Sequence, residues 1–309
     1  MSWPHVLGGP VGSTRDVRLE AHSETVREAY PEAYTDLMVF ITDLGGADYL
    51  VVILAVLFWV TRRHDTALVV AYTIAGASLM LALKATLGWE RPPEDVWVIE
   101  YEADPYGFPS GHALIATVVY GGLLYRFGLA RHWGALAGVV TLIGLVSISR
   151  VVLGLHYLGD LLFGAALGIA VLVALELLVR ENLRVGFGVA LVAAAVGSVV
   201  AGPSIETAWI LLGFAVGGVA VGHRVESLPP LRSRVEAAVL TVVGLALVAL
   251  GVALEGAVTS VGVRAVEIGL MVGLYAVLFV AILLLPAAIG HVEHPRLEGS
   301  EETAETGTY

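Results

Sequence analysis

The sequence predicts an all-α integral membrane protein, and three observations support this fold class. Of the 309 residues, 57% are hydrophobic and 15% are charged, whereas soluble domains are typically about 45–50% apolar and about 25% charged. The mean hydropathy is +0.83. Apolar runs close to the roughly 20 residues that cross a bilayer as a helix recur along the chain. The absence of cysteine further excludes disulfides and thiol chemistry.

Nine apolar windows predict the transmembrane helices. They cover residues 45–61, 66–88, 112–128, 133–153, 156–179, 185–203, 206–222, 235–254 and 265–289. The opening MSWPHVLGGP has neither a basic start nor an apolar stretch. We therefore expect the first span to act as an uncleaved signal.

Residues 1–44 form an N-terminal segment ahead of these spans. Within it, residues 24–46 (ETVREAYPEAYTDLMVFITDLGG) place apolar side chains at roughly helical spacing with charges between them, and include Pro31. This pattern predicts an amphipathic helix that lies at the membrane interface. A short first span is the alternative.

Basic residues orient the chain, because short cytoplasmic loops are enriched in Lys and Arg. The basic residues that follow the first, third, fifth and seventh windows all fall on one side: Arg62, Arg63, Arg126, Arg131, Arg180, Arg184, Arg224, Arg232 and Arg234. That side is expected to be the cytoplasm. Four basic residues fall on the opposite side: Lys84, Arg91, Arg150 and Arg264. We interpret the first three as residues with a chemical role.

The C-terminal half is expected to add about four transmembrane helices over residues 185–290, followed by an acidic cytoplasmic tail at 291–309. The acidic residues of these helices lie near predicted helix ends: Glu206, Glu236, Glu255 and Glu267. This half is interpreted as a lipid-facing or oligomerising addition. The small-residue pairs Gly134/Gly138 and Gly164/Gly168 predict close helix packing. The net charge of −11 is interpreted as solvated surface.

The first of three unusual polar stretches is KATLGWERP, residues 84–92, which contains the only lysine of the chain. Lys84 and Arg91 are seven residues apart, nearly two helical turns, so on a helix both cations would point to one side. Gly88 and Pro92 predict that the helix ends there.

The second stretch is FPSGHA, residues 108–113, which precedes an apolar run. Ser110 is a candidate N-cap, so the free N–H groups of the first helical turn would face the loop and form an anion site. His112 would stand beside a bound anion. A capped helix with an incidental histidine is the alternative for this stretch alone.

The third stretch is SRVVLGLHYLGD, residues 149–160. His156 and Asp160 are four apart, so on one helical face the carboxylate would hold one ring nitrogen and leave the other as a lone pair. A nucleophile or general base requires this arrangement. Arg150 adds a third cation. A structural, buried His–Asp pair is the alternative.

Taken together, three cations, an open helix N-terminus and two histidines predict a site for a dianionic phosphate. One histidine would attack the phosphorus and the other would protonate the leaving oxygen. A divalent metal site formed by His112, His156 and Asp160 is disfavoured, because the nearby cations would repel the ion. We therefore expect neither a metal nor a cofactor.

These stretches resemble the signature of the type 2 phosphatidic acid phosphatase (PAP2) superfamily, which includes lipid phosphate phosphatases and undecaprenyl pyrophosphate phosphatases. Its pattern is Lys, six residues, Arg-Pro; then Pro-Ser-Gly-His; then Ser-Arg, five residues, His, three residues, Asp. The chain matches every position: Lys84, Arg91, Pro92, Pro109, Ser110, Gly111, His112, Ser149, Arg150, His156 and Asp160. The resemblance covers about residues 35–180 and implies a PAP2-type helix bundle over residues 45–184.

The resemblance also implies a role for each matching residue. His156 would be the nucleophile that forms a phosphohistidine, Asp160 its orienting carboxylate and His112 the general acid. The phosphate would be held without metal by Lys84, Arg91, Arg150, Ser110 and the Gly111 N–H. Pro92, Pro109 and Ser149 would support the motifs.

The first functional hypothesis is a phosphatase of the cell membrane that acts on a lipid phosphate or diphosphate at the non-cytoplasmic face. Candidate substrates are a polyprenyl diphosphate and phosphatidate-type lipids. The segment TDLMVFITDLGG resembles that of bacterial undecaprenyl pyrophosphate phosphatases, which favours the polyprenyl lipid. The expected partners are this substrate and membrane lipids, with no nucleic acid, and a homo-oligomer is left open.

There are two alternatives, a transferase of the same superfamily and a transporter, which belongs to another class. A PAP2-family transferase would pass the phosphoryl group or a lipid headgroup to an alcohol instead of water, and the sequence does not separate it from a hydrolase. A transporter would place ionisable residues near the middle of its spans. Here the candidate residues lie at helix mouths, which disfavours a transporter.

Overall fold

The protein is described by a computed structural model that covers residues 11–61, 63–100 and 105–292. These residues form twelve α-helices: α1 (Val11–Arg18), α2 (Glu20–Glu28), α3 (Thr35–Asp43), α4 (Ala47–Val60), α5 (Arg63–Leu87), α6 (Gly111–Arg126), α7 (Trp133–Val152), α8 (Leu158–Val179), α9 (Leu183–Ala201), α10 (Glu206–Val221), α11 (Arg234–Thr259) and α12 (Arg264–Val292). Within the described ranges the extended pairing is one isolated bridge, between Glu90 and Tyr106. The predicted all-α membrane fold is confirmed.

Seven helices are long and apolar enough to cross a membrane, namely α5, α7, α8, α9, α10 with the turn after it, α11 and α12. The predicted windows 45–61 and 112–128 correspond to shorter helices. α4 has 14 residues and meets the preceding helical segment at a bend of 48°. If that bent pair is one span, the count becomes eight. α6 has 16 residues, about 24 Å of helix against a hydrocarbon core of about 30 Å.

The N-terminal segment forms short helices rather than one continuous amphipathic helix. α2 ends at Glu28 and α3 begins at Thr35, with Pro31 between them. Proline lacks a backbone N–H and fixes its own φ, so a helix does not pass through it without losing a hydrogen bond. Met38 of α3 belongs to the same buried hydrophobic cluster as Val152, Leu153 and Leu155 at the end of α7. The segment therefore covers the end of the bundle at which α7 ends.

The buried centre of the bundle is α5, which packs against α6 on one side and α9 on another. α6 in turn lies against α8, where Gly164 and Gly168 face it closely. A Cβ at Gly164 would lie 2.6 Å from the carbonyl oxygen of Ser110, so the close packing predicted for this pair is confirmed. Gly134 and Gly138 have no atom of the described chain within 4 Å of the corresponding position. Within the described residues no other helix lies against this face of α7, so the packing predicted for this pair is not observed.

The C-terminal helices contact the core through specific side chains. Besides the packing of α9 along α5, Trp59 of α4 is fully buried and its indole N–H donates to the carbonyl of Ile282 in α12 at 3.0 Å. Gly244 of α11 lies against the same ring, with no room for a side chain. The indole thus joins α4 to both α11 and α12.

One end of the bundle gathers the arginines that were predicted to be cytoplasmic. Arg126 forms an ion pair with Glu176 at 2.8 Å and donates to the hydroxyl of Tyr72, and Arg63 donates to the carbonyl of Pro229. Arg62 and the acidic tail from residue 293 onward lie outside the described residues. The three polar stretches of the sequence lie toward the other end.

Candidate active site

The three stretches converge where α5, α6, α7 and α8 meet. Lys84 lies in the last turn of α5, Ser110 immediately precedes α6, and Arg150 lies in the last turn of α7. His156 is in the loop between α7 and α8, and Asp160 is in the first turn of α8. All five of these residues are buried. The structure therefore brings the predicted site together.

The pair of His156 and Asp160 forms as predicted, but for a different local reason. His156 precedes α8 instead of lying on its face, and the Asp160 carboxylate folds back over the first turn. Its Oδ2 lies 3.4 Å from His156 Nδ1 and accepts from the Tyr157 N–H at 3.0 Å. The carboxylate thus caps α8 and faces the imidazole at the same time.

The other ring nitrogen of His156 faces a cation. Its Nε2 lies 3.1 Å from Nη1 of Arg91, which also donates to the carbonyl of Leu155 at 3.2 Å. Arg91 does not extend the helix of Lys84, since α5 ends at Leu87 and Gly88 adopts a φ of +62°. A turn of the chain, and not a shared helical face, brings Arg91 to the site.

The remaining two cations are fixed by polar partners from other segments. Lys84 Nζ donates to the carbonyl of Tyr106 at 2.9 Å. Nη1 of Arg150 donates to the hydroxyl of Thr42, in α3, at 3.1 Å. Both cations are almost completely buried. They are held in place before any anion binds, which is what electrostatic preorganisation requires.

Ser110 occupies the N-cap position of α6 but does not use its side chain as a cap. Its hydroxyl is buried and has no hydrogen-bond partner within the described ranges. Its backbone N–H donates to the carbonyl of Asp160 at 3.1 Å. A buried hydroxyl without a protein partner is costly, so this group is available to a ligand.

The other residues that match the sequence motifs either begin α6 or support the local backbone. Gly111 and His112 are the first residues of α6 and are half-buried. Ser149 donates its hydroxyl to the carbonyl of Val146 in its own helix at 2.8 Å, so it shapes the helix end. Pro92 is buried and its carbonyl accepts from the indole of Trp97 at 2.9 Å, and Pro109 is buried as well.

The environment of His156 favours its neutral form. The residue lies in a loop outside the long spans and is 1% exposed. Burial lowers its pKa well below the usual value, and the charges of Arg91 and Arg150 lower the pKa further. A neutral imidazole keeps the lone pair that a nucleophile or a general base needs.

Sequence reasoning missed three residues at this end of the bundle, all from the N-terminal helices. The guanidinium of Arg18 forms an ion pair with Asp160, and Ser23 accepts from the Leu158 N–H. Thr42 is the partner of Arg150 described above. No spacing rule connects these residues to the motifs, since Arg18 and Asp160 are 142 positions apart. An arginine in the polar N-terminal segment ahead of the predicted amphipathic helix carries no signal of its own.

Comparisons with known proteins agree with the motif positions. The sequence model of the PAP2 superfamily matches residues 65–184. A phosphatidylglycerophosphatase B of Bacillus subtilis is 32% identical over 148 residues, which are 43% of this chain and 70% of that protein. An undecaprenyl-diphosphatase of Sulfolobus acidocaldarius is 32% identical over 138 residues, 43% of this chain and 64% of that protein.

One solved structure also resembles this chain. It is the crystal structure of a transmembrane PAP2-type phosphatidylglycerolphosphate phosphatase from Bacillus subtilis, with a TM-score of 0.47 and 22% sequence identity. The match covers 56% of this chain and 89% of that chain.

Proposed function

The chain belongs to the PAP2 superfamily and is a phosphatase, and from that premise we propose that it hydrolyses a lipid phosphate or diphosphate through a phosphohistidine. The observation that carries the proposal is the setting of His156. Its Nδ1 faces the Asp160 carboxylate, while its Nε2 faces the guanidinium of Arg91. A phosphoryl group bound to Arg91 would therefore lie within reach of the nucleophile.

In the first half of the reaction, Nε2 of His156 forms a bond to phosphorus while the bond from phosphorus to the leaving oxygen breaks. His112 donates a proton to that oxygen. Lys84, Arg91 and Arg150 neutralise the charge on the three equatorial oxygens. Asp160 stabilises the positive charge that the imidazole acquires when its Nε2 bonds to phosphorus.

In the second half, a water molecule attacks the phosphohistidine. His112, now neutral, accepts a proton from that water, the N–P bond breaks and inorganic phosphate leaves. The enzyme returns to its starting protonation state. The hydroxyl of Ser110 and the N–H of Gly111 would hold the phosphate at the N-terminus of α6, where a helix favours an anion.

The position of the site favours a lipid substrate. The cations lie at the ends of α5 and α7 and in the adjoining loops, so the site is at a bundle end and not at the middle of a span. A lipid whose tail remains in the bilayer would present its phosphate at this level. The distribution of basic residues supports the proposal that this end is the non-cytoplasmic face. A polyprenyl diphosphate is favoured over phosphatidate-type lipids because the segment TDLMVFITDLGG resembles that of bacterial undecaprenyl pyrophosphate phosphatases.

The proposal is tested by phosphate release from the full chain in detergent micelles. The substrates are phosphatidate, lysophosphatidate, a polyprenyl diphosphate and glucose 6-phosphate, each assayed with and without EDTA. We expect release from at least one lipid, undiminished by EDTA, and little from the sugar phosphate. Loss of all activity in EDTA would contradict the metal-free mechanism.

The covalent step is tested by acid quenching with a ³²P-labelled substrate. The wild-type chain should carry label, whereas His156→Ala should carry none and release no phosphate. His132→Ala is the matched control, because His132 is exposed on the loop before α7. A His156→Ala protein that retained full activity would refute the assignment of the nucleophile.

A further inference from the structure

Arg18, the last residue of α1, contacts both oxygens of the Asp160 carboxylate. Its Nε donates to Oδ1 and its Nη2 donates to Oδ2, both at 2.8 Å. Its Nη1 donates to the carbonyl of Glu90 at 2.7 Å, next to Arg91 in sequence. A planar guanidinium suits this two-pronged contact, which is the strong form of the ion pair.

The surroundings of Arg18 are shaped to admit it. A Cβ on Gly159 would lie 2.6 Å from the Arg18 Cα, and one on Gly107 would lie 2.8 Å from Nη2. The guanidinium also stacks over the ring of Tyr157 at 4.4 Å. The side chain of Arg18 is only 7% exposed. Glycine at positions 159 and 107 therefore leaves the space that Arg18 occupies, and the ring of Tyr157 packs against its guanidinium.

A second contact anchors the same N-terminal helices independently of Arg18. Ser23 of α2 is fully buried, and its hydroxyl accepts from the backbone N–H of Leu158 at 2.8 Å while it donates to the carbonyl of Leu19. The Leu158 N–H belongs to the first turn of α8, where helices leave donors without partners. The N-terminal helices are therefore part of the wall of the site.

We propose that Arg18 is a positioning residue, which fixes the Asp160 carboxylate that aims His156 and ties it to the backbone beside Arg91. The inference rests on the proposed function, since it assigns Arg18 a part in the same reaction. Arg18 contacts the carboxylate and not the reacting atoms. It acts on catalysis through Asp160.

The physical reason is the cost of a buried carboxylate. Asp160 is 0% exposed, and an ionised carboxylate in such a place requires a cation and several donors. Without Arg18 it would retain the Tyr157 N–H and the long contact to His156 at 3.4 Å. It would then rotate or become protonated, and would lose its hold on the ring.

Arg18 also adds its charge to those that already act on His156. The charged and titratable groups around that imidazole are Arg18, Lys84, Arg91, His112, Arg150 and Asp160. Burial is the first cause that lowers the pKa of His156, and the four cations add to it. Removing Arg18 removes one of these cations, and the loss of its charge raises this pKa.

One competing interpretation is a latch. Arg18 lies closer to the carboxylate than His156 does, 2.8 Å against 3.4 Å, and a latch would keep Asp160 away from the imidazole. A carboxylate has about four lone-pair sites, and Arg18 uses two of them. Each oxygen accepts one of these two bonds, so the guanidinium fixes the plane of the carboxylate in the orientation in which Oδ2 accepts from the Tyr157 N–H and faces Nδ1 of His156, which favours positioning over a latch.

The experiment compares Arg18→Gln and Arg18→Lys in the full chain, with Arg15→Gln as the matched control. Arg15 lies on the same helix with its side chain 69% exposed. For Arg18→Gln we expect kcat to fall about 10- to 100-fold with KM changed less than about threefold. Arg18→Lys should recover part of the loss, because an ammonium reaches one carboxylate oxygen. Arg15→Gln should match the wild type.

A second readout does not depend on turnover: the pH titration of the His156 signal in protein labelled with ring-¹⁵N histidine, assigned through His156→Ala. We expect the midpoint in Arg18→Gln to lie at a higher pH than in the wild type. If the wild type hydrolyses no lipid phosphate, the proposed function fails, while this titration still decides the role of Arg18.

Three results would overturn the inference. A higher kcat in Arg18→Gln would identify a latch. An unchanged kcat and an unchanged titration midpoint would show that Arg18 has no effect on the pair. Equal losses in both variants, with a lower melting temperature and an unmoved midpoint, would show a structural role only.

Discussion

The backbone N–H of Ser110 donates to the carbonyl oxygen of Asp160 at 3.1 Å. This bond joins the start of α6 directly to the first turn of α8, so the turn that is proposed to bind phosphate and the carboxylate that faces His156 share one backbone contact. The geometry of the proposed nucleophile and that of the proposed anion site are therefore coupled. Anything that separates α6 from α8 should disturb both.

The packing of α8 against α6 is tested by Gly164→Ala. The added Cβ would lie 2.6 Å from the carbonyl oxygen of Ser110, and we expect a loss of about 1–3 kcal/mol of stability together with lower activity. Gly138→Ala is the control, since nothing in the described chain lies within 4 Å of its Cβ position. Alanine there should gain up to about 1 kcal/mol from helix propensity. The measurement is the apparent melting temperature in detergent, and equal values for the two variants would contradict the packing described.

The hydroxyl of Ser110 is predicted to bind the substrate phosphate. Ser110→Ala should lower kcat/KM by about tenfold, the loss of one hydrogen bond to a charged group, while stability is unchanged or slightly improved because a buried unpaired hydroxyl is removed. The matched control is Ser149→Ala, whose hydroxyl already donates to Val146. Steady-state kinetics on both variants decide the point. A larger loss in kcat/KM for Ser149→Ala would reverse the assignment.

The membrane class and the three motifs are predictable because each depends on local sequence. Run length and composition determine which segments are apolar enough to span, and the spacing from His156 to Asp160 is short enough for the two to meet. The helix end after Lys84 also follows from local chemistry, since Gly88 adopts the left-handed backbone.

The unpredicted features depend on contacts between distant segments. Arg18 and Asp160 are 142 positions apart, and Thr42 reaches Arg150 across 108 positions. The difference between Gly164 and Gly138 has the same origin, because the same small-residue pattern occurs in both helices and only the fold decides which face has a neighbour. Tertiary packing, and not residue type, distinguishes them.

The carboxylate of Asp160 is predicted to serve two partners, and a double substitution separates them. Asp160→Asn should lower kcat by about 10³- to 10⁴-fold, because an amide does not hold the imidazole in the correct form. It should also destabilise the chain by about 3–5 kcal/mol, because Arg18 is left buried without its anion.

The double variant Asp160→Asn with Arg18→Gln removes both charges of this pair. We expect its melting temperature to return toward that of the wild type while kcat stays low. Kinetics and thermal unfolding in the same detergent provide both readouts. Recovery of kcat in the double variant would mean that Asp160 serves Arg18 and not His156.

The pH dependence follows from the neutral state of His156. Since burial and then the neighbouring cations lower its pKa, the imidazole stays neutral at pH 7 and gains a proton only as the pH falls below its ordinary value of about 6.5. The acid limb of kcat/KM that belongs to His156 should therefore lie below about pH 6.5.

Lys84→Met removes one of these cations and should move that limb to a higher pH, in addition to weakening phosphate binding. Arg264→Gln, which removes a half-exposed cation paired with Glu206, should leave the limb where it is. A limb that stays fixed in Lys84→Met would show that the charge of Lys84 does not affect the protonation of His156.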